Sequence, residues 1–192
     1  MKYYAVKNGR KTGIFTDWSE CRESVNGYSG AEYKSFLTES EAEAYLNGGE
    51  PTGFSGITAY VDGSFNEKTS EFSYGAVIID GDGIKTFSEK FSDSELSSMR
   101  NVAGEIKGAE FVMKYCLENG ITAVRLIYDY EGIAKWALGE WKRNKIGTIA
   151  YKNYYDSIKD ALFVQFDKVK SHSGNKYNDM ADKLAKQALG ID

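Results

Sequence analysis

The sequence predicts an α/β protein: a mixed five-stranded sheet flanked by helices, preceded by a small α+β unit. Three observations lead there. Residues 57–64, 72–80 and 84–91 are apolar or alternating runs separated by turn residues, which makes an antiparallel meander. A helix-period stripe over residues 101–119 then leads to another apolar run, 122–128, and a strand–helix–strand crossover sets the flanking strands parallel. Finally, Glu50–Gly56 holds the only proline with two glycines, so residues 49–56 read as a linker between a domain at 1–48 and a domain at 57–192.

The chain has 192 residues, enough for one domain or a small pair. Its 42% hydrophobic and 27% charged content is that of an ordinary globular protein. No apolar run approaches the ~18 residues of a membrane span, and Met1-Lys2-Tyr3-Tyr4 opens no apolar signal core. Cys21 and Cys116 are isolated, so neither a disulfide framework nor a zinc knuckle is indicated. The expectation is a cytoplasmic monomer without membrane contact. The net charge of −4 argues weakly against a nucleic-acid binder, but the charge is uneven. Residues 135–152 carry Lys135, Lys142, Arg143, Lys145 and Lys152 against Glu140 alone. Local basic patches can meet phosphate while the acidic remainder holds cations.

In order, residues 2–7 read as a strand, Asn8-Gly9 as a hairpin turn, and Thr12–Phe15 as the returning strand. Asp17 or Thr16 can cap a short helix through Cys21 and Val25. Residues 32–36 form a third strand. Thr38-Glu39-Ser40-Glu41 is a capping box for a helix that Asn47-Gly48-Gly49 stops. Aromatics (Tyr3, Tyr4, Trp18, Tyr28, Tyr33) alternate with Lys7, Arg10, Lys11 and Lys34. That pattern suits stacking on nucleotides beside phosphate contacts, and equally a small core with solvated charges.

The run Tyr3-Tyr4-Ala5-Val6 … Gly9-Arg10-Lys11-Thr12-Gly13-Ile14-Phe15 … Trp18-Ser19-Glu20-Cys21 … Tyr33-Lys34-Ser35-Phe36 resembles the hybrid-binding domain at the N-terminus of many ribonucleases H. The resemblance implies that Trp18 meets the DNA strand and that Tyr33 and Lys34 contact the hybrid. Ser35 stands where the family carries a second basic residue.

Within the second unit, Ile57–Ser64 reads as a strand ending on Asp62, with Gly63 turning or approaching something closely. Asp62-Gly63 as a plain hairpin turn is the alternative. In the 101–119 helix, Val102, Ile106, Ala109, Met113 and Cys116 form one stripe with Glu105 on its edge, while Glu110 and Lys114 read as an i,i+4 surface pair. The strand 122–128 also ends on a carboxylate, Asp129. Residues 131–138 and 151–159 read as helices around the basic aromatic cluster Trp141-Lys142-Arg143-Asn144-Lys145. A strand at 162–169 and a helix at 177–189 close the chain, with Asp182 bordering that helix's buried stripe.

Asp62, Glu105, Asp129 and Asp182 can therefore converge, and four crowded carboxylates are tolerable only around divalent cations. Hard oxygen ligands suit Mg²⁺, and a single His with no sulfur cluster excludes a zinc site. Residues alone leave Asp179 and Asp182 undecided. The order Val61-Asp62-Gly63-Ser64, Ala103-Gly104-Glu105, Tyr128-Asp129, then Ser171-His172-Ser173-Gly174-Asn175 … Asn178-Asp179-Met180-Ala181-Asp182 resembles the type-one ribonuclease H catalytic domain over residues 57–189. The resemblance favours Asp182. It implies catalytic roles for Asp62, Glu105, Asp129, His172 and Asp182, with the four acids holding two Mg²⁺ that Mn²⁺ can replace. It implies an RNA–DNA hybrid as partner, seated by Ser64, Asn101, Trp136, Trp141, Lys142 and Arg143. The implied reaction is hydrolysis of the RNA strand to 5′-phosphate and 3′-hydroxyl ends. Departures from the family are Tyr130 for a common Ser, Asn66-Glu67-Lys68 for Asn-Pro-Gly, and Arg100 for a common Thr. A non-catalytic hybrid binder and a nuclease or transposase of the same fold are the rival readings.

Overall fold

Strand, helix and strand patterns give two compact units, Met1–Ser55 and Gly56–Asp192, in the computed structural model. It describes residues 2–36, 39–46, 56–81, 83–170 and 175–191. The Thr38 cap, the Asn47-Gly48-Gly49 stop, most of the 49–56 linker and the His172 loop fall outside the described residues.

In the first unit, β1 (Tyr3–Asn8) is the centre of an antiparallel sheet of order β2-β1-β3, with β2 at Gly13–Phe15 and β3 at Glu32–Phe36. Alternation along β1 sends Ala5 and Val6 to opposite faces. Val6 packs with Cys21 and Val25 of helix α1 (Trp18–Val25), while Ala5 and Phe36 pack with Ala42 of α2 (Glu39–Leu46). Asp17 caps α1 by accepting from the Ser19 N–H. The return from β1 is longer than an Asn8-Gly9 turn. Val6 pairs with Gly13, and residues 9–12 bend against α1, where the Arg10 N–H donates to the Ser24 carbonyl at 2.9 Å.

The second unit is built on a sheet of order β6-β5-β4-β7-β8. Strands β4 (Ile57–Asn66), β5 (Glu71–Asp80) and β6 (Gly83–Phe91) form the antiparallel meander. Strands β7 (Ala123–Tyr128) and β8 (Phe163–Lys168) add parallel to β4. The short α3 (Ser94–Ser97) precedes α4 (Asn101–Glu118), and α5 (Gly132–Ala137) and α6 (Ile146–Ile158) lie between β7 and β8. The last helix is α7 (Lys176–Ala188). Val61 and Tyr74 face α4, whose Gly108 leaves them room. On the other sheet face Tyr60 meets Tyr177 of α7, with ring centroids 5.4 Å apart. A Cβ on Gly75 would stand 2.0 Å from the Ala181 carbonyl oxygen, so this glycine admits α7.

Two expectations are corrected. Strand β4 does not end at Asp62; it pairs with β5 as far as Asn66, because Gly63 is a close approach rather than a turn. A Cβ there would lie 2.2 Å from the Asn101 carbonyl oxygen and 2.5 Å from the Glu105 nitrogen. Glu110 pairs with Lys107 at 2.8 Å, not with Lys114, which reaches Glu118 at 3.7 Å.

Candidate active site

Parallel pairing of β4 with β7 runs to Tyr60–Ile127. Beyond it the two strands part, and ligand sites in α/β sheets form outside such strand ends. Asp62 projects just past the last parallel pair, Asp129 follows the final residue of β7, and Glu105 reaches in from the second turn of α4. The three carboxylates each offer an oxygen within 4.8 Å of the others. Gly63 and Gly104 bring α4 this near: Gly104 would press a Cβ to 3.0 Å from the Gly63 Cα.

The electrostatics follow from this crowding. Glu105 is 1% exposed, and its Oε2 has no hydrogen-bond partner. Burial first, then the charges of Asp129 and Asp62, push its carboxyl up to about 9, against an opposing Tyr130 backbone N–H. Asp62 is pushed up to about 7 by burial and by Asp129, while its hydrogen bond from the Gly63 N–H opposes the rise. Such a cluster stays ionised only with positive charge inside it.

Asp182 stands outside the three-carboxylate group, although its charge is felt at Asp62. Lys186, one turn further along α7, takes it in a 2.7 Å ion pair. The i,i+4 spacing of Asp182 and Lys186 is the sequence signal for this pair.

Asn101 is exposed at the first turn of α4, whereas Ser64 is buried within β4 opposite Ser73. Trp136 is buried; Trp141, Lys142 and Arg143 are exposed. A cleft of about 240 Å³ lies between Met99, Val102, Tyr130, Trp136, Lys142, Asn144, Lys145 and Thr148. Tyr130 connects this cleft to the acids. Its ring lies 5.7 Å from Trp136 and 6.4 Å from Trp141, and its backbone N–H donates to Glu105. Nothing in the local sequence announces that double contact. In the first unit, Trp18 is half-buried between Tyr4 and Tyr33, at ring distances of 5.3 and 6.1 Å, with Lys34 on the same strand as Tyr33. His172 lies outside the described residues.

A mixed five-stranded sheet with three carboxylates gathered beyond its central parallel pair offers a set of ligands that could hold a cation. Residues 55–190 match the family described as RNase H, and residues 2–46 match the family described as Ribonuclease H1 N-terminal domain. The chain belongs to the ribonuclease H family. It is similar to a Ribonuclease H of Chlorobium luteolum, 30% identical over 146 residues, covering 69% of this chain and 94% of the relative. It also resembles a Ribonuclease H of Crithidia fasciculata, 57% identical over 44 residues, which cover 23% of this chain. The match spans 9%, 19% and 25% of the first three curated relatives' own lengths. The solved structure of LC11-RNase H1 in complex with an RNA/DNA hybrid shares the fold at 16% identity, with a TM-score of 0.55 over 69% of this chain and 99% of that one.

Proposed function

We propose that this protein is an endoribonuclease that hydrolyses the RNA strand of RNA–DNA hybrids, leaving 5′-phosphate and 3′-hydroxyl ends. The observation that carries the proposal is the carboxylate cluster: Asp62, Glu105 and Asp129 within 4.8 Å of one another, with a buried Glu105 oxygen left without a partner. That donor set, all hard oxygen and over-rich in negative charge, fits Mg²⁺ ions, with Mn²⁺ as a substitute. Asp62, Glu105, Asp129 and Asp182 are the residues that would hold two such ions. When bound, the ions supply Lewis acidity that activates water and neutralises charge developing on the phosphate.

The chain's own residues do the rest. Asp182, held by Lys186 across one helical turn, would exchange that cation for a bound one. Asn101, exposed at the start of α4, would read the hybrid beside Glu105. Trp141, Lys142 and Arg143 grip the DNA strand along the aromatic cleft, with Trp136 beneath them as support. Trp18, Tyr33 and Lys34 hold a second stretch of hybrid on the first unit, and tethering makes that contact intramolecular. His172, with a reference pKa near 6.5, accepts or returns a proton at the scissile phosphate as an assistant to the cations. The hybrid held by the LC11 relative supports this substrate class. The test is incubation of a hybrid with labelled RNA, with and without Mg²⁺: Mg²⁺-dependent cutting confined to the RNA strand supports the proposal. An intact RNA strand, or equal cutting of both strands, refutes it.

A further inference from the structure

Among the described residues, two that are not glycine hold a left-handed backbone, Ser70 at φ 56 and Arg100 at φ 56. Both sit at one junction. Ser70 ends the turn between β4 and β5, and Arg100 is the residue before α4. The Ser97 hydroxyl lies 2.6 Å from the carbonyl oxygens of both Ser70 and Asp93, and the Arg100 guanidinium forms an ion pair with Glu67. The same guanidinium lies 5.5 Å from the centre of the Phe65 ring. So the β4–β5 turn and the start of α4 are clasped by a hydroxyl, a charge pair and a cation over a ring. A strained backbone persists where surrounding contacts over-determine it, and such sites cluster where segments switch. Arg100 gains no cap in exchange: it makes no side-chain hydrogen bond to the helix.

The clasp is also replaceable. The Arg100 and Glu67 side chains are 59% and 74% exposed, and pairs so solvated contribute little to stability. A guanidinium binds phosphate with the same forked geometry it offers a carboxylate. Arg100 directly precedes Asn101, whose carbonyl oxygen lies against Gly63 beside Asp62, so it stands at the edge of the acidic site. We propose that Glu67 is an intramolecular stand-in for a substrate phosphate. It occupies Arg100 and holds the start of α4 in place while the site is empty, and it yields Arg100 to a backbone phosphate when the hybrid docks. This rests on the hydrolase reading above and adds to it a competition between a carboxylate of the chain and a phosphate of the hybrid.

The test uses the full chain carrying Asp129→Asn to prevent cutting, and measures affinity for an RNA–DNA hybrid in Mg²⁺ across a range of salt. Arg100→Gly, which suits the left-handed backbone, removes the charge without burdening the fold. It should make the slope of log K against log salt shallower by about 0.7–0.9, one phosphate contact. Arg100→Lys should keep the slope. Glu67→Gln should tighten binding about two- to five-fold, the range released by freeing one exposed charge pair. It should do nothing in the Arg100→Gly background, as a two-variant cycle requires. An unchanged slope in Arg100→Gly overturns the proposal, and so does a Glu67→Gln gain that survives loss of Arg100. Either of those results with intact hybrid binding leaves the hydrolase reading standing, whereas absence of any hybrid binding removes both.

Discussion

Replacing Glu105 by Gln tests the site's electrostatics without any substrate. In the metal-free protein Glu105 is almost wholly buried beside two other carboxylates, and its pKa rises from 4.5 to about 9. A raised pKa means that, between those values, the folded state keeps a proton that the unfolded chain has released. Stability is therefore insensitive to this group below the unfolded value and falls as pH rises between the two. For a single group the loss is about 1.4 kcal/mol per pH unit. Between about pH 5 and about pH 7 it comes to roughly 3 kcal/mol, an upper bound because Asp62 titrates with it. Glutamine abolishes that titration but places an amide nitrogen where Oε2 has no partner, at a pH-independent cost of ~1–3 kcal/mol. The slope, not the absolute stability, is thus the readout. Urea unfolding of the full chain in EDTA at a series of pH values should show the variant gaining on wild type by roughly 1 kcal/mol per unit as pH rises. Adding Mg²⁺ should stabilise wild type by mass action and the variant much less. Parallel stability–pH curves for the two proteins in EDTA would refute the reasoning.

Three further outcomes are expected. Gly63→Ala should cost ~1–3 kcal/mol in denaturant melts, because its Cβ meets the Asn101 carbonyl oxygen at 2.2 Å; wild-type stability would show that α4 shifts freely. Trp18→Ala should weaken binding of long hybrids by ~1–3 kcal/mol and of short ones less; equal losses in a titration would contradict the division of labour between the two units. Tyr151→Phe removes a buried hydroxyl that has no partner, so melting should show a change within about 1 kcal/mol in either direction; a larger loss would reveal a bond to that hydroxyl.

The meander and the α4 stripe were legible because alternation and helical periodicity report directly which face is buried, as with Val61 beside Asp62 and Ile106 beside Glu105. What escaped depends on contacts distant in sequence. Asp62-Gly63 reads locally as a strand end, but pairing with β5 and the seating of α4 on Gly63 carry the strand to Asn66. Helix α3 is too short to show a period and is marked only by its cap, Asp93. In α7 the buried stripe runs through the polar Asn178 with Ala181 and Ala185, so apolar periodicity alone does not mark it. Within the site, the three gathered acids were visible as strand-end and helix-edge carboxylates. The hold of Lys186 on Asp182 needed only an i,i+4 count, whereas Tyr130 bridging Glu105 to Trp136 and Trp141 exists only once β7, α4 and α5 are assembled.

The central claim is that the gathered carboxylates hold the cations that cut RNA. Asp129→Asn keeps the side chain's shape and removes the charge that acts most strongly on both Asp62 and Glu105. Cleavage of the RNA strand and affinity for the hybrid should be measured together in saturating Mg²⁺. The account predicts that cleavage is abolished while hybrid affinity is retained. Cleavage near the wild-type rate would contradict it.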